Sequence, residues 1–166
     1  VDCHFNSGAT KIQDAIDSGA DEVRVVDGLY NESVVIDDIN LILKGGYASC
    51  ADALAGNQGT SPTSTVISAS EPGATVLVTG TDQRNSLEID TIRLTGGTAS
   101  GFAGGGMTVA ADTTVNLYDV WIDNNSNALG GGLSIFAGDS DIVAYNLMLI
   151  DNTGGTGGGI FCNGNG

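Results

Sequence analysis

Four residues make the best case for chemistry: Arg93, Asp119, Trp121 and Asp123. Asp119, Trp121 and Asp123 alternate with Val120 and Ile122, so on a strand all three share one face. An outward tryptophan beside carboxylates suits a sugar, with the ring as an apolar plate and the acids accepting hydroxyl protons. Thr91, Arg93 and Thr95 are expected on that face above it, and Leu147 and Leu149 below. A loop folded over Trp121 is the alternative, and Leu147 with Leu149 reads equally as an apolar patch for a partner. Asp123 and Asp151 lie 28 residues apart. If they stack they repel, and a Ca²⁺ ion held by carboxylate and carbonyl oxygens would relieve the repulsion. Corners that splay the two acids into water would do the same. Asn124 and Asn152 share the spacing and are expected to form a structural ladder that satisfies backbone groups at a corner.

The residues of an enzyme are sparse. The basic residues are Lys11, Arg24, Lys44, Arg84 and Arg93, and only Arg93 shares a face with acids. One arginine near two aspartates reads as an ion pair before it reads as a proton-abstracting base. His4 is the single histidine, so no Ser/His/Asp set can be built. The triplets Gly104–Gly106, Gly130–Gly132 and Gly157–Gly159 lack the Lys and Ser/Thr of a phosphate loop. No catalytic residue is assigned.

The chain has 166 residues and a net charge of −15. That excludes a nucleic-acid groove and docking on anionic lipid, since both need Lys and Arg. With 41% hydrophobic residues in short patterned runs it is not disordered. The glycines, 26 in all, show no three-residue period, which excludes collagen. No apolar run is long enough to span a bilayer as a helix. A start at Val1 suggests a processed or trimmed chain, and a run that begins at Ile160 and stops with no helix or charged segment to close it suggests the N-terminal part of a longer protein, or a trimmed form of it. Cys3 and Cys50 sit in polar, non-periodic segments and are expected to form a disulfide; two free thiols of a reducing compartment are the alternative. Cys162 follows Ile160 and Phe161 and is expected to be buried.

The elements that must position these residues show a period. Leu87 and Ile89 step by 28 to Val115 and Leu117, and by 28 again to Val143 and Tyr145. Ile92 and Leu94 step likewise to Val120 and Ile122, then to Met148 and Ile150. A looser series runs Val76/Val78, Met107/Val109, Leu133/Ile135 and Ile160/Cys162. Each repeat thus carries three apolar pairs at i, i+2, the signature of three short strands. Such strands bury their apolar faces only if successive repeats stack, each series becoming a parallel sheet. Inward parity switches between Leu117 and Val120, which requires a bend there. Before the repeats, residues 9–19 form one amphipathic helix with Ile12, Ala15 and Ile16 on one face, Thr10 as its cap and Gly19 as its stop. Strands are expected at 22–26, 33–36, 39–44, 65–68 and 75–79, and residues 45–64 are expected to be a long loop.

These features resemble a known architecture. Ile12–Ile16, Val23–Val25, Gly28–Tyr30 and Leu41–Gly46 are similar to the first coil of right-handed parallel β-helix proteins of the pectate-lyase-like superfamily. Gly131-Gly132-Leu133 and Gly158-Gly159-Ile160 resemble a repeat element of polymorphic outer-membrane proteins, and Trp121–Asn124 resembles their Phe-x-x-Asn element. Leu149–Asn152 departs from it by lacking the aromatic, and Arg93–Gly96 by lacking the Asn. The resemblance implies an all-β, right-handed single-stranded parallel β-helix, a solenoid with three short strands per coil and about three to four coils. It implies one domain, with 1–21 a helical cap, 45–64 a long loop and 75–166 regular coils. The architecture hosts lyases, hydrolases, adhesins and passenger domains, so function is read from the site. The expected function is a non-catalytic secreted or cell-surface module, adhesin-like or structural, with carbohydrate as the ligand. The alternative is the start of a lyase or glycoside hydrolase acting on acidic polysaccharide. No cofactor beyond Ca²⁺ is implied, and an open last coil would permit self-association.

Overall fold

In a computed structural model of the chain, the described residues are 11–80, 85–100, 104–136 and 138–163. They are mostly β, in parallel sheets, with two short helices. In chain order the elements are α1 (Lys11–Asp17), β1 (Glu22–Val26), β2 (Gly28–Asn31), β3 (Val34–Asp37), β4 (Leu41–Tyr47), α2 (Cys50–Ala55), β5 (Thr65–Ser68) and β6 (Val76–Thr79). Then follow β7 (Asn85–Thr95), β8 (Met107–Val109), β9 (Thr113–Asp123), β10 (Ser126–Asn127), β11 (Leu133–Ile135), β12 (Asp141–Tyr145), β13 (Met148–Ile150), β14 (Thr153–Gly154) and β15 (Ile160–Cys162).

Every strand pair among these residues is parallel, and each joins one repeat to the next. One series runs β1, β4, the first half of β7, the first half of β9, then β12. A second runs β2, β5, the second halves of β7 and β9, then β13. The third runs β3, β6, β8, β11 and β15, stacking Val34, Val76, Met107, Leu133 and Ile160 in one column. That column has five members, one repeat more than the expected three to four. Its first four side chains are at most 1% exposed, and Ile160 is 47% exposed. Each buried aliphatic side chain contributes about 1.5–3 kcal/mol, and together they form the core.

The 28-residue step holds between β7 and β9, where Leu87 lies beside Val115 and Ile92 beside Val120. It fails at the last repeat. There Val115 pairs with Ile142 and Ile122 with Leu149, a step of 27. Val143, Tyr145 and Met148, expected inside, are exposed, while Leu147 and Leu149, expected outside as a patch, pack against the core. A one-residue change of register exchanges the two faces of a strand.

The bends are single left-handed residues. Thr91, Asp119 and Asn146 have φ of 55°, 50° and 55°, and interrupt β7, β9 and the β12–β13 junction at equivalent places. A second set, Gly96, Asn124 and Asp151, has φ of 75°, 54° and 51°. The glycine triplets stack on one another: the Gly106 amide donates to Gly131 O and that of Gly132 to Gly158 O. A Cβ on Gly106 would stand 2.7 Å from Gly132 O, so side chains are excluded there by close backbone approach.

Helix α1 covers the first repeat, with Ile12, Ala15 and Ile16 buried as expected. The buried Glu32 carboxylate accepts the Ile12 and Gln13 amides, both at 3.1 Å, satisfying orphan donors of the first turn. The Gln13 side-chain amide donates to Val35 O and accepts from Val35 N, so it closes the free edge of β3 as a strand would. Gly19, at φ 82°, follows the helix as its expected stop. The expected cap Thr10 lies outside the described residues.

The stretch 45–64 is not a plain loop. Strand β4 runs on to Tyr47, and α2 follows, capped by Ser49 Oγ accepting the Asp52 amide and ended by Gly56 at φ 77°. Its six residues bury only Ala53, too little for an apolar periodicity to show.

Candidate functional site

Trp121 lies in an outward column of the second series, with Arg93 before it and Met148 after it. Leu29 and Val66 extend the column through the first two repeats. The neighbours expected below Trp121, Leu147 and Leu149, are replaced by Met148, for the register reason given above. Thr91, expected outside, is buried at its corner. Trp121 is partly buried, and among the described residues none covers it completely.

Arg93 and Asp123 form a bidentate pair: Nε to Oδ1 at 2.7 Å and NH2 to Oδ2 at 2.6 Å. Asp123 is 6% exposed and also accepts the Asn124 side-chain amide at 2.7 Å. Donating hydrogen bonds to the Asp123 carboxylate raises the Arg93 pKa above its ordinary value, against the opposing effect of burial. The guanidinium is therefore a fixed cation on the strand position beside that of Trp121. Asp119 stands apart from this group. It occupies the left-handed corner and accepts the Asn146 side-chain amide at 2.9 Å. The structure thus brings Arg93, Trp121 and Asp123 together and sets Asp119 to one side.

Asp123 and Asp151 do not stack. Asp123 lies beside Ile150, and Asp151 is a corner residue exposed to solvent. With both Asp123 oxygens engaged by Arg93, the expected Ca²⁺ pair is not assembled. No group of three or more His, Cys, Asp or Glu gathers among the described residues.

The asparagine ladder exists one residue along. Asn124 is exposed at the corner, and Asn125, 1% exposed, takes the structural role beside Asn152. Asn125 Oδ1 accepts the Gly97 amide at 2.8 Å, while Nδ2 donates to Leu94 O at 3.2 Å and Asp123 O at 2.9 Å. Asn152 repeats the pattern: Oδ1 accepts the Asn125 amide at 3.1 Å and Nδ2 donates to Ile122 O at 2.6 Å. Adjacent asparagines at 124 and 125 made the choice ambiguous in the sequence, and only the 27-residue step resolves it.

A feature missed by sequence reasoning is a stacked pair, Tyr118 and Tyr145, with ring centroids 5.5 Å apart and planes 5° from parallel. The 28-residue step placed Tyr145 inside, whereas their true separation of 27 was the available signal. Cys50 is disulfide-bonded, and its expected partner Cys3 lies outside the described residues, as does His4. Cys162, expected to be buried, is free and exposed, because β15 has β11 as its only strand neighbour among the described residues. No helix among the described residues is long and apolar enough to cross a membrane. Compared with protein-family models, curated proteins and solved structures, the chain matches none.

Proposed function

We propose that the chain is a right-handed single-stranded parallel β-helix of pectate-lyase-like architecture, working as a non-catalytic secreted or cell-surface module that binds carbohydrate on the face around Trp121. The observation that carries this reading is the clamp of Asp123 on Arg93. It fixes a cation on the strand position next to that of a partly exposed indole, a face that offers a sugar both an apolar ring and a charged donor. The same clamp weakens the lyase alternative. A proton-abstracting arginine must spend time deprotonated, and the hydrogen bonds it donates to Asp123 hold Arg93 charged. The Cys50 disulfide supports an oxidising compartment and hence export. The exposed strands β12, β13 and β15 would let two copies associate, an accessory part of the same reading.

Trp121 is the single tryptophan, so its fluorescence reports its own face. Titration with soluble oligosaccharides is expected to shift or quench that emission, and Trp121→Ala is expected to abolish retention on the corresponding immobilised glycan. Retention unchanged in Trp121→Ala would end the assignment of this face. Release of unsaturated uronides from pectin or alginate would end the non-catalytic reading.

A further inference from the structure

We propose a second ligand site: the cleft built by residues 46–64 binds one neutral sugar residue. Where the third and fourth repeats turn on Thr91 and Asp119 alone, the second repeat leaves the sheets after Tyr47 and returns at Thr65. In stacked-repeat proteins, insertions confined to one repeat are where binding surfaces are built. This excursion lines an open cleft of about 540 Å³, within the volume range of small-ligand sites. Its polar side chains are Asp27, Asp52, Asn57, Gln58, Thr60 and Ser61, with Ser64 and the backbone at Gly46 and Gly59 completing the wall.

The walls are fixed before any ligand arrives. The Gly59 amide donates to Gly46 O at 2.7 Å, and Gln58 Nε2 donates to Gly45 O at 3.1 Å. The Asn57 amide donates to Asp52 O at 2.9 Å, and Arg24 donates to Ala53 O at 2.5 Å. Such pre-ordering lowers the entropic cost of binding.

The lining chooses the ligand class. Its described lining holds no Lys, Arg or His, and its two carboxylates disfavour an anionic sugar. Among the described residues it holds no aromatic ring on which a flat hydrophobic ligand could stack. Two carboxylates, one already accepting the Ser49 hydroxyl at 2.5 Å, are few for a tight divalent-cation site. A lining of carboxylates, amides and hydroxyls matches the donors and acceptors of a polyhydroxyl compound. Asp27, whose carboxylate accepts one long hydrogen bond of 3.4 Å from Thr65 among the described residues, can accept a pair of adjacent sugar hydroxyls, while Asn57 and the Thr60 and Ser61 hydroxyls donate.

The test is an amide NMR titration of the intact chain with D-glucose, D-galactose and D-mannose, with D-galacturonate and CaCl₂ as separate arms. One neutral hexose is expected to shift the Gly46, Asn57, Gly59 and Ser61 amides saturably by about 50 mM, as a millimolar site requires. Asp27→Asn and Asn57→Ala, each checked for an unchanged melting temperature, are expected to weaken it at least about tenfold. Trp121→Ala is expected to leave it intact, so this site stands or falls apart from the Trp121 face. No saturable shift with any neutral hexose, equal binding of galacturonate, or CaCl₂ moving the same amides at lower concentration would each overturn the proposal.

Discussion

The same corner is built in two ways in neighbouring repeats. The third and fourth repeats turn on one left-handed residue each, Thr91 and Asp119. The second spends residues 48–64 there, adding a capped helix, a disulfide and a walled cleft. The two versions are in contact, since a Cβ on Gly46 would stand 2.7 Å from the Thr91 methyl. A stack of repeats therefore needs one residue at this corner, and everything beyond that one serves another purpose than stacking.

This contrast can be broken most sharply at the ladder that the economical repeats share. Asn125→Ala removes the partners of three buried backbone groups and is expected to cost about 3 kcal/mol by urea unfolding. Asn124→Ala, next door at an exposed corner, is expected to cost about 1 kcal/mol, from the strain of an alanine in the left-handed region and the lost hydrogen bond to Asp123. Equal effects would mean that the ladder is misplaced.

At the single-residue corner itself, Asp119→Val puts a branched side chain at φ 50° and is expected to cost about 1–2 kcal/mol, whereas Asp119→Gly stays within about 0.5 kcal/mol of the wild type. On the elaborate corner, Gly56→Ala at φ 77° is expected to cost about 1 kcal/mol. Replacing residues 48–64 by one asparagine is then expected to keep the far-ultraviolet β signal and a cooperative melt. Collapse of that variant would show that the excursion holds the sheets together after all.

The smallest effect is alkaline. Burial raises the pKa of Tyr30, with Glu32 and Asp27 adding to the shift, and burial raises Tyr47 as well. Above the ordinary phenol value of about 10 the unfolded chain loses these protons first, so stability is complete below that pH and falls as pH rises toward the folded values. Tyr30→Phe, which also loses the hydrogen bond to Val26 O, is expected to flatten that fall in a pH series of melting temperatures.

The strands and their stacking were legible because inward positions in β7 and β9 alternate cleanly with polar ones. The last repeat was not, because Ile142-Val143-Ala144-Tyr145 and Leu147-Met148-Leu149-Ile150 are apolar at both parities. With neither face marked, a constant step of 28 selected the wrong one, and Asp151, Tyr145 and the two leucines followed it. Helix α2 was hidden for a different reason. Its evidence is two caps, Ser49 and Gly56, around a segment too short for a periodic stripe. Trp121 and Arg93 were found because their neighbours obey the regular step, whereas the buried partner Asn125 was masked by Asn124.

The side chain of Asn152 fastens to Asn125 and Ile122 of the repeat before it, and that of Asn125 reaches back to Leu94 and Gly97. Each new layer thus brings its own bolt and finds the socket already in place. A polypeptide emerging from its N-terminal end, or threaded through a pore in that direction, can set its layers one at a time without waiting for a distant segment to arrive.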